Sequence, residues 1–170
     1  MSTRFAFVFA WAFALAVLGH VSPSFAQDTR PYDLAQLSPD VRSAVENARA
    51  AQTRALMAAA RAQGDGAGHV RFTGVGGDTY AGECAPCGAE APQRHGHGVL
   101  SWNDGELYVG QHAAGGAGGM KHGYGVYVVL NGEIYEGQLS ADQYSGYGVR
   151  WDAQGRVRLQ GLWANNALVQ

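Results

Sequence analysis

The chain has 170 residues, 46% of them hydrophobic and 15% charged, with a formal net charge of −2 at pH 7. That length holds one domain of ordinary size, so any second folded unit would be very small. With 12 basic residues against 14 acidic ones and no basic cluster, the composition excludes a nucleic-acid partner, which would demand a positive face for the phosphate backbone.

In chain order, the first segment reads as an export signal. Arg4 precedes an apolar run from Phe5 to Leu18, too short to span a bilayer comfortably, and Ser24 and Ala26 are the small residues a signal peptidase reads. Cleavage is expected after Ala26, so residues 1–26 are a signal peptide and the mature chain carries no transmembrane segment. No Cys lies near the cleavage point to carry a lipid. Removing Arg4 leaves 11 basic against 14 acidic residues, a charge of −3. The expected location is periplasmic or secreted, where cysteines meet oxidising conditions.

Residues 27–63 form an N-terminal segment with a helix expected over about 39–62. Ser38 offers an N-cap, Pro39 the first helical position and Asp40 a first-turn acid. Val41, Ala44, Val45, Ala48, Ala55, Leu56 and Ala59 recur with helical spacing. Alanine gives this face high helicity but little area to bury, so the helix is expected to dock weakly, pair with another chain or stand away from the body. A glycine-rich linker, 64–69, ends it.

Of 25 glycines, all but Gly19 fall between Gly64 and Gly161, and beyond the linker the sequence repeats itself. His95-Gly96-His97-Gly98-Val99 returns as His122-Gly123-Tyr124-Gly125-Val126 and as Ser145-Gly146-Tyr147-Gly148-Val149. Each is followed by a turn pair, Asp104-Gly105, Asn131-Gly132 or Gln154-Gly155. The first two then lead into Tyr108-Val-Gly110 and Tyr135-Glu-Gly137, and Tyr80-Ala-Gly82 fits the same frame upstream. Asp-Gly and Asn-Gly favour two-residue type I′ turns between antiparallel strands.

This order of Tyr-X-Gly, irregular segment, His-Gly-X-Gly, strand and turn resembles the MORN repeat family over roughly 70–163. The resemblance implies a mainly β fold: an elongated single-layer antiparallel sheet of stacked hairpins, preceded by one Ala-rich α-helix. On this reading 70–79 is a half-repeat cap, the repeats run about 80–107, 108–134 and 135–158, and 159–170 is a C-terminal cap. Tyr80, Gly82, Gly96, Gly98, Tyr108, Gly110, Gly123, Gly125, Tyr135, Gly137, Gly146 and Gly148 are then structural, the glycines giving bare backbone against which tyrosine rings can lie. The chain departs from the family pattern in the long segments 83–94 and 111–121, and in Ser145 where a histidine is usual.

Cys84-Ala-Pro-Cys87 is the one constellation with an overt chemical reading. In an exported chain a local disulfide is the default. A tetrahedral metal site could draw on Cys84, Cys87, His95 and His97, two thiolates and two imidazoles. A thioredoxin-like redox site would want a surrounding βαβ pattern, which is missing, and c-type haem attachment would want His where Gly88 stands. No serine elbow, phosphate loop or acid/base pair is legible, so no catalytic residue and no cofactor are assigned.

The expected function is that of a non-catalytic binding or scaffolding module contacting a protein or lipid of the cell envelope. The alternative is a metal-binding or thiol-redox protein centred on Cys84 and Cys87 with His95 and His97. Trp102, Tyr127, Trp151 and Trp163 are the candidate contact residues, because buried Tyr and Trp dominate many interfaces. Strand alternation directs about half of them inward.

Overall fold

A computed structural model describes residues 32–62, 67–74, 76–88, 92–115 and 118–170. The expected signal peptide and its cleavage point lie outside them. A single 3-10 turn, Leu34–Gln36, leads into helix α1, Pro39–Arg61. Nine strands follow: β1 His69–Thr73, β2 Thr79–Cys84, β3 Arg94–Ser101, β4 Leu107–Ala113, β5 Met120–Val128, β6 Ile134–Ser140, β7 Gln143–Trp151, β8 Val157–Ala164 and β9 Ala167–Leu168. Each pairs antiparallel with the next, giving one open sheet in strictly sequential order.

Register explains why the sequence repeats. One row of cross-strand partners runs Gly82, Gly98, Gly110, Gly125, Gly137, Gly148, Gly161, a glycine on every strand from β2 to β8. The adjacent row, Ala81, Val99, Val109, Val126, Glu136 and Val149, projects to the opposite face, because successive side chains alternate. A third row, Tyr80, Leu100, Tyr108, Tyr127 and Tyr135, returns to the glycine face. The sheet therefore has a valine face and a tyrosine face, each with its own core cluster.

Helix α1 covers the valine face, packing across β1 to β8. The thin alanine face that predicted weak docking is what permits close contact: Ala44, Ala48, Ala51, Ala55, Ala58 and Ala59 are all buried with Val41, Val45 and Leu56. Small residues bring the helix backbone near a valine surface, and many small contacts replace a few large ones. Two polar anchors fix it. The Gln160 amide accepts from Ser38 N–H at 3.0 Å and donates to the Gln36 carbonyl at 3.0 Å, holding the helix start on β8. Further along, Arg49 grips Glu136 with two bonds of 2.9 and 3.0 Å, and the Trp151 indole donates to the same carboxylate at 2.8 Å.

The turns correct one expectation. At Asp104-Gly105, Asn131-Gly132 and Gln154-Gly155 only the glycine has positive φ, 102°, 79° and 77°, so these are not type I′ turns. Each glycine N–H bonds to the carbonyl three residues back, on Trp102, Val129 and Asp152, and the loop closes one residue later. This is a type I turn followed by a left-handed glycine, a three-residue hairpin loop. Asp104 and Asn131 earn their places otherwise, accepting from the N–H of Glu106 and Glu133 at 3.1 and 3.0 Å. Adjacent residues with positive φ, the type I′ signature, occur on the opposite side of the array at Ala141-Asp142 and Asn165-Asn166.

Candidate functional site

The tyrosine face is built from a device repeated three times. Tyr80, Tyr108 and Tyr135 are fully buried, and their hydroxyls donate to the carbonyls of Glu83, Gln111 and Gln138 at 2.6, 2.8 and 2.7 Å. Each ring lies on a bare glycine of the next strand: a Cβ on Gly125 would stand 2.5 Å from Tyr108 Cε2, and Gly98 and Gly148 are equally closed by Tyr80 and Tyr135. Removal from water pushes the hydroxyls of Tyr80, Tyr108 and Tyr135 well above the ordinary tyrosine range. They are packing groups that stay neutral.

Sequence reading missed a second element of the device. Glu83, Gln111 and Gln138 each follow the glycine of Tyr-X-Gly, and their side-chain oxygens accept from the N–H of His97, Tyr124 and Tyr147 at 2.7, 2.7 and 2.8 Å. The glycines opposite, Gly96, Gly123 and Gly146, take φ of 57°, 66° and 73°, which turns the backbone N–H towards that oxygen. The signal was present: Glu or Gln occupies the same place in all three units.

The hairpins fold over on this face. Arg94 is paired with Cys84 at the far end of β2, yet its guanidinium lies 3.3 Å from Asp78, beside the near end. Six residues of straight strand would separate them by about 20 Å, so the strands bend around the tyrosines. Lys121 occupies the equivalent place in the next unit and sits over the rings of Trp102 and Tyr127, 4.9 and 5.0 Å from their centroids. Tyr144 takes it in the third, stacked on Tyr135 at 3.9 Å and edge-on to Tyr127.

Of the candidate contact residues, Trp102 and Tyr127 are half-buried on this folded face, edge-on to one another at 5.8 Å. Tyr127 donates to Glu106, and burial followed by that carboxylate pushes its hydroxyl up. Trp151 and Trp163 are 1% and 3% exposed and cannot serve as contacts: alternation puts Trp151 beneath α1, and Trp163 packs on Tyr135 and donates to the Gly148 carbonyl at 3.0 Å. The folded face thus presents one continuous aromatic strip, Trp102, Tyr127 and Tyr144, crossed by Lys121 and edged by Glu106 and Asp142.

Cys84 and Cys87 are joined in a disulfide. Their sulfurs are therefore not thiolates, and among the described residues no group of three or more His, Cys, Asp or Glu is placed to hold a metal. His95 is exposed, while His97 lies 3.5 Å from Glu83, so the two imidazoles proposed as co-ligands have separate surroundings.

The MORN repeat family matches residues 93–106, 117–129 and 135–155, spans that each contain one Gly-X-Gly strand of the glycine row. The chain is a MORN-repeat protein. No curated protein matches it. The three matched spans contain all three Gly-X-Gly strands, and the first and third also contain the turns that follow, Asp104-Gly105 and Gln154-Gly155; of the packing tyrosines only Tyr135 lies within a matched span. In this MORN array the long segment 83–94 carries the disulfide, and the other, 111–121, contributes the Gly119 carbonyl that Arg94 grips at 2.7 Å. No described helix of the MORN protein is long and apolar enough to cross a membrane.

Proposed function

We propose that this MORN protein is an exported, non-catalytic binding module that contacts a protein or lipid of the cell envelope through its folded aromatic face. The observation that carries the reading is the division of labour between the faces. The valine face is closed by the chain's own helix, and Tyr80, Tyr108 and Tyr135 of the other face are spent on packing. Outermost on this face lies the half-buried strip of Trp102, Tyr127 and Tyr144, with the Lys121 side chain 12% exposed, a combination of large amphipathic rings and a cation suited to contact. The disulfide is consistent with an oxidising compartment, and residues 1–26 would supply the export signal.

The test is cross-linking of the tagged protein in its native envelope, comparing wild type with Trp102→Ala/Tyr127→Ala, alongside binding to vesicles of envelope lipid. A specific protein or lipid retained by the wild type and lost by the variant supports the reading. Equal recovery by both, with the variant folded, removes the aromatic face from the mechanism. The N-terminus of the exported form, read by mass spectrometry, should begin at Gln27.

A further inference from the structure

We propose that His112 is an acid-operated release for the joint between the first two MORN units: uptake of one proton by its imidazole drives the side chain out from between Tyr80 and Tyr108 and opens the folded aromatic face there. The argument starts from position. His112 stands four residues after Tyr108; the equivalent places after Tyr80, Tyr135 and Leu159 hold Cys84, in a disulfide, and the apolar Leu139 and Trp163. All four are buried. Packing there asks for an apolar group, and this unit alone supplies a titratable one.

Its surroundings leave a proton nowhere to go while the joint is closed. The ring is 4% exposed and wedged edge-on between Tyr80 of one unit and Tyr108 of the next, 5.1 Å from each centroid. Neither ring nitrogen has a hydrogen bond of good geometry, and the Gly110 backbone compensates only in part. The basic groups that face it are Arg94 and His97 from β3, and Lys121 from β5, and each opposes a second positive charge there. Arg94 is held by Asp78 and Gly119, and Lys121 by Asp142 at 3.5 Å, so both stay in place. The tyrosines of β2 and β4 remain neutral and cannot compensate. Burial first, and Arg94 second, push His112 down to about 3.

Once the side chain swings into water it regains an ordinary imidazole and can take up the proton, so the open state gains population as pH falls through the value of a free histidine. With 6.5 for the free group, the open-to-closed ratio rises about 100-fold between pH 7.5 and pH 4.5. The first structure to feel it is the Lys121 bridge to Trp102 and Tyr127, because His112 and Lys121 are cross-strand partners.

The experiment compares wild type with His112→Leu, the residue type used by the third unit, by amide hydrogen exchange at pH 7.5 and 4.5 after correction for intrinsic rates. Opening of β3–β5 should increase about 100-fold in the wild type and less than about 3-fold in the variant, with β7 and β8 protected in both. An equal increase in the variant, no increase in the wild type, or a uniform loss of protection along the sheet would each overturn the proposal. Should His112→Leu fail to fold, the imidazole nitrogen shifts of the wild type decide the matter. The ring must gain its proton as β3–β5 open, and a ring that stays neutral through the opening refutes the mechanism.

Discussion

Replacing Gly125 with alanine isolates the contact on which the array is built. No left-handed backbone is involved at this position, so the cost is steric: the new methyl would sit 2.5 Å from Tyr108 Cε2 and Oη and 2.6 Å from Cζ. Relief requires the ring to move, and moving it breaks the hydroxyl bond to the Gln111 carbonyl at 2.8 Å. Overpacking costs roughly 1–3 kcal/mol and the lost hydrogen bond about 1 kcal/mol more, so a destabilisation of about 3 kcal/mol is expected. With a urea slope of about 2 kcal/mol/M, the unfolding midpoint drops by about 1.5 M. The decisive assay is a double-mutant cycle with Tyr108→Ala, which removes the ring and should cost about 3–5 kcal/mol alone. In that background Gly125→Ala should cost under about 0.5 kcal/mol, a coupling of at least 2 kcal/mol. Gly88→Ala, where a methyl meets open space, is the control. If Gly125→Ala costs the same with and without the Tyr108 ring, ring-on-glycine packing is not why the motif keeps that glycine.

Arg49→Met should destabilise by about 3–5 kcal/mol, because the Glu136 side chain is only 5% exposed and would be left as a buried charge; Arg49→Met/Glu136→Met should recover most of that loss in the same urea titration. Gln111→Leu strips the acceptor from Tyr124 N–H and should cost about 1–3 kcal/mol, while Gln111→Glu, the residue type the first unit uses at Glu83, should lower the thermal midpoint far less. Alkaline pH should unfold the protein early. Burial raises the hydroxyls of Tyr80, Tyr108, Tyr127 and Tyr135, and that of Tyr144 to about 12, against 10 in the unfolded chain. Their contribution is complete below pH 10 and falls as pH climbs beyond it. Circular dichroism between pH 9 and 12 should show the loss, and a chain that stays folded with its tyrosines ionised would contradict the burial argument.

The repeating unit was legible because its signals are local. Tyr-X-Gly, Gly-X-Gly-Val and the turn pairs each constrain a few neighbouring residues, and their recurrence in order implied sequential antiparallel pairing. Helix α1 was legible for the same reason, since Ser38, Pro39 and the alanine spacing act within one segment. The Glu83, Gln111 and Gln138 series was present in the sequence but became meaningful only once each side chain was seen to reach the backbone of the following strand. The turn type at Asp104 and Asn131 departs from the type I′ expectation because Asp-Gly and Asn-Gly suit two kinds of hairpin loop, and strand register chooses between them.

What the amino-acid sequence determined by itself is the strand order, the hairpin period and the residues that must lack a Cβ, all of which follow from propensity and alternation along the chain. Which face the helix covers, which tryptophans are withdrawn from solvent and which histidine is trapped between two tyrosines are set by contacts between units. Trp151 and Trp102 carry the same side chain, and only the tertiary structure could put one beneath α1 and the other on the folded aromatic face. Alternation says that neighbouring residues point to opposite sides, but it takes packing to decide which side is buried.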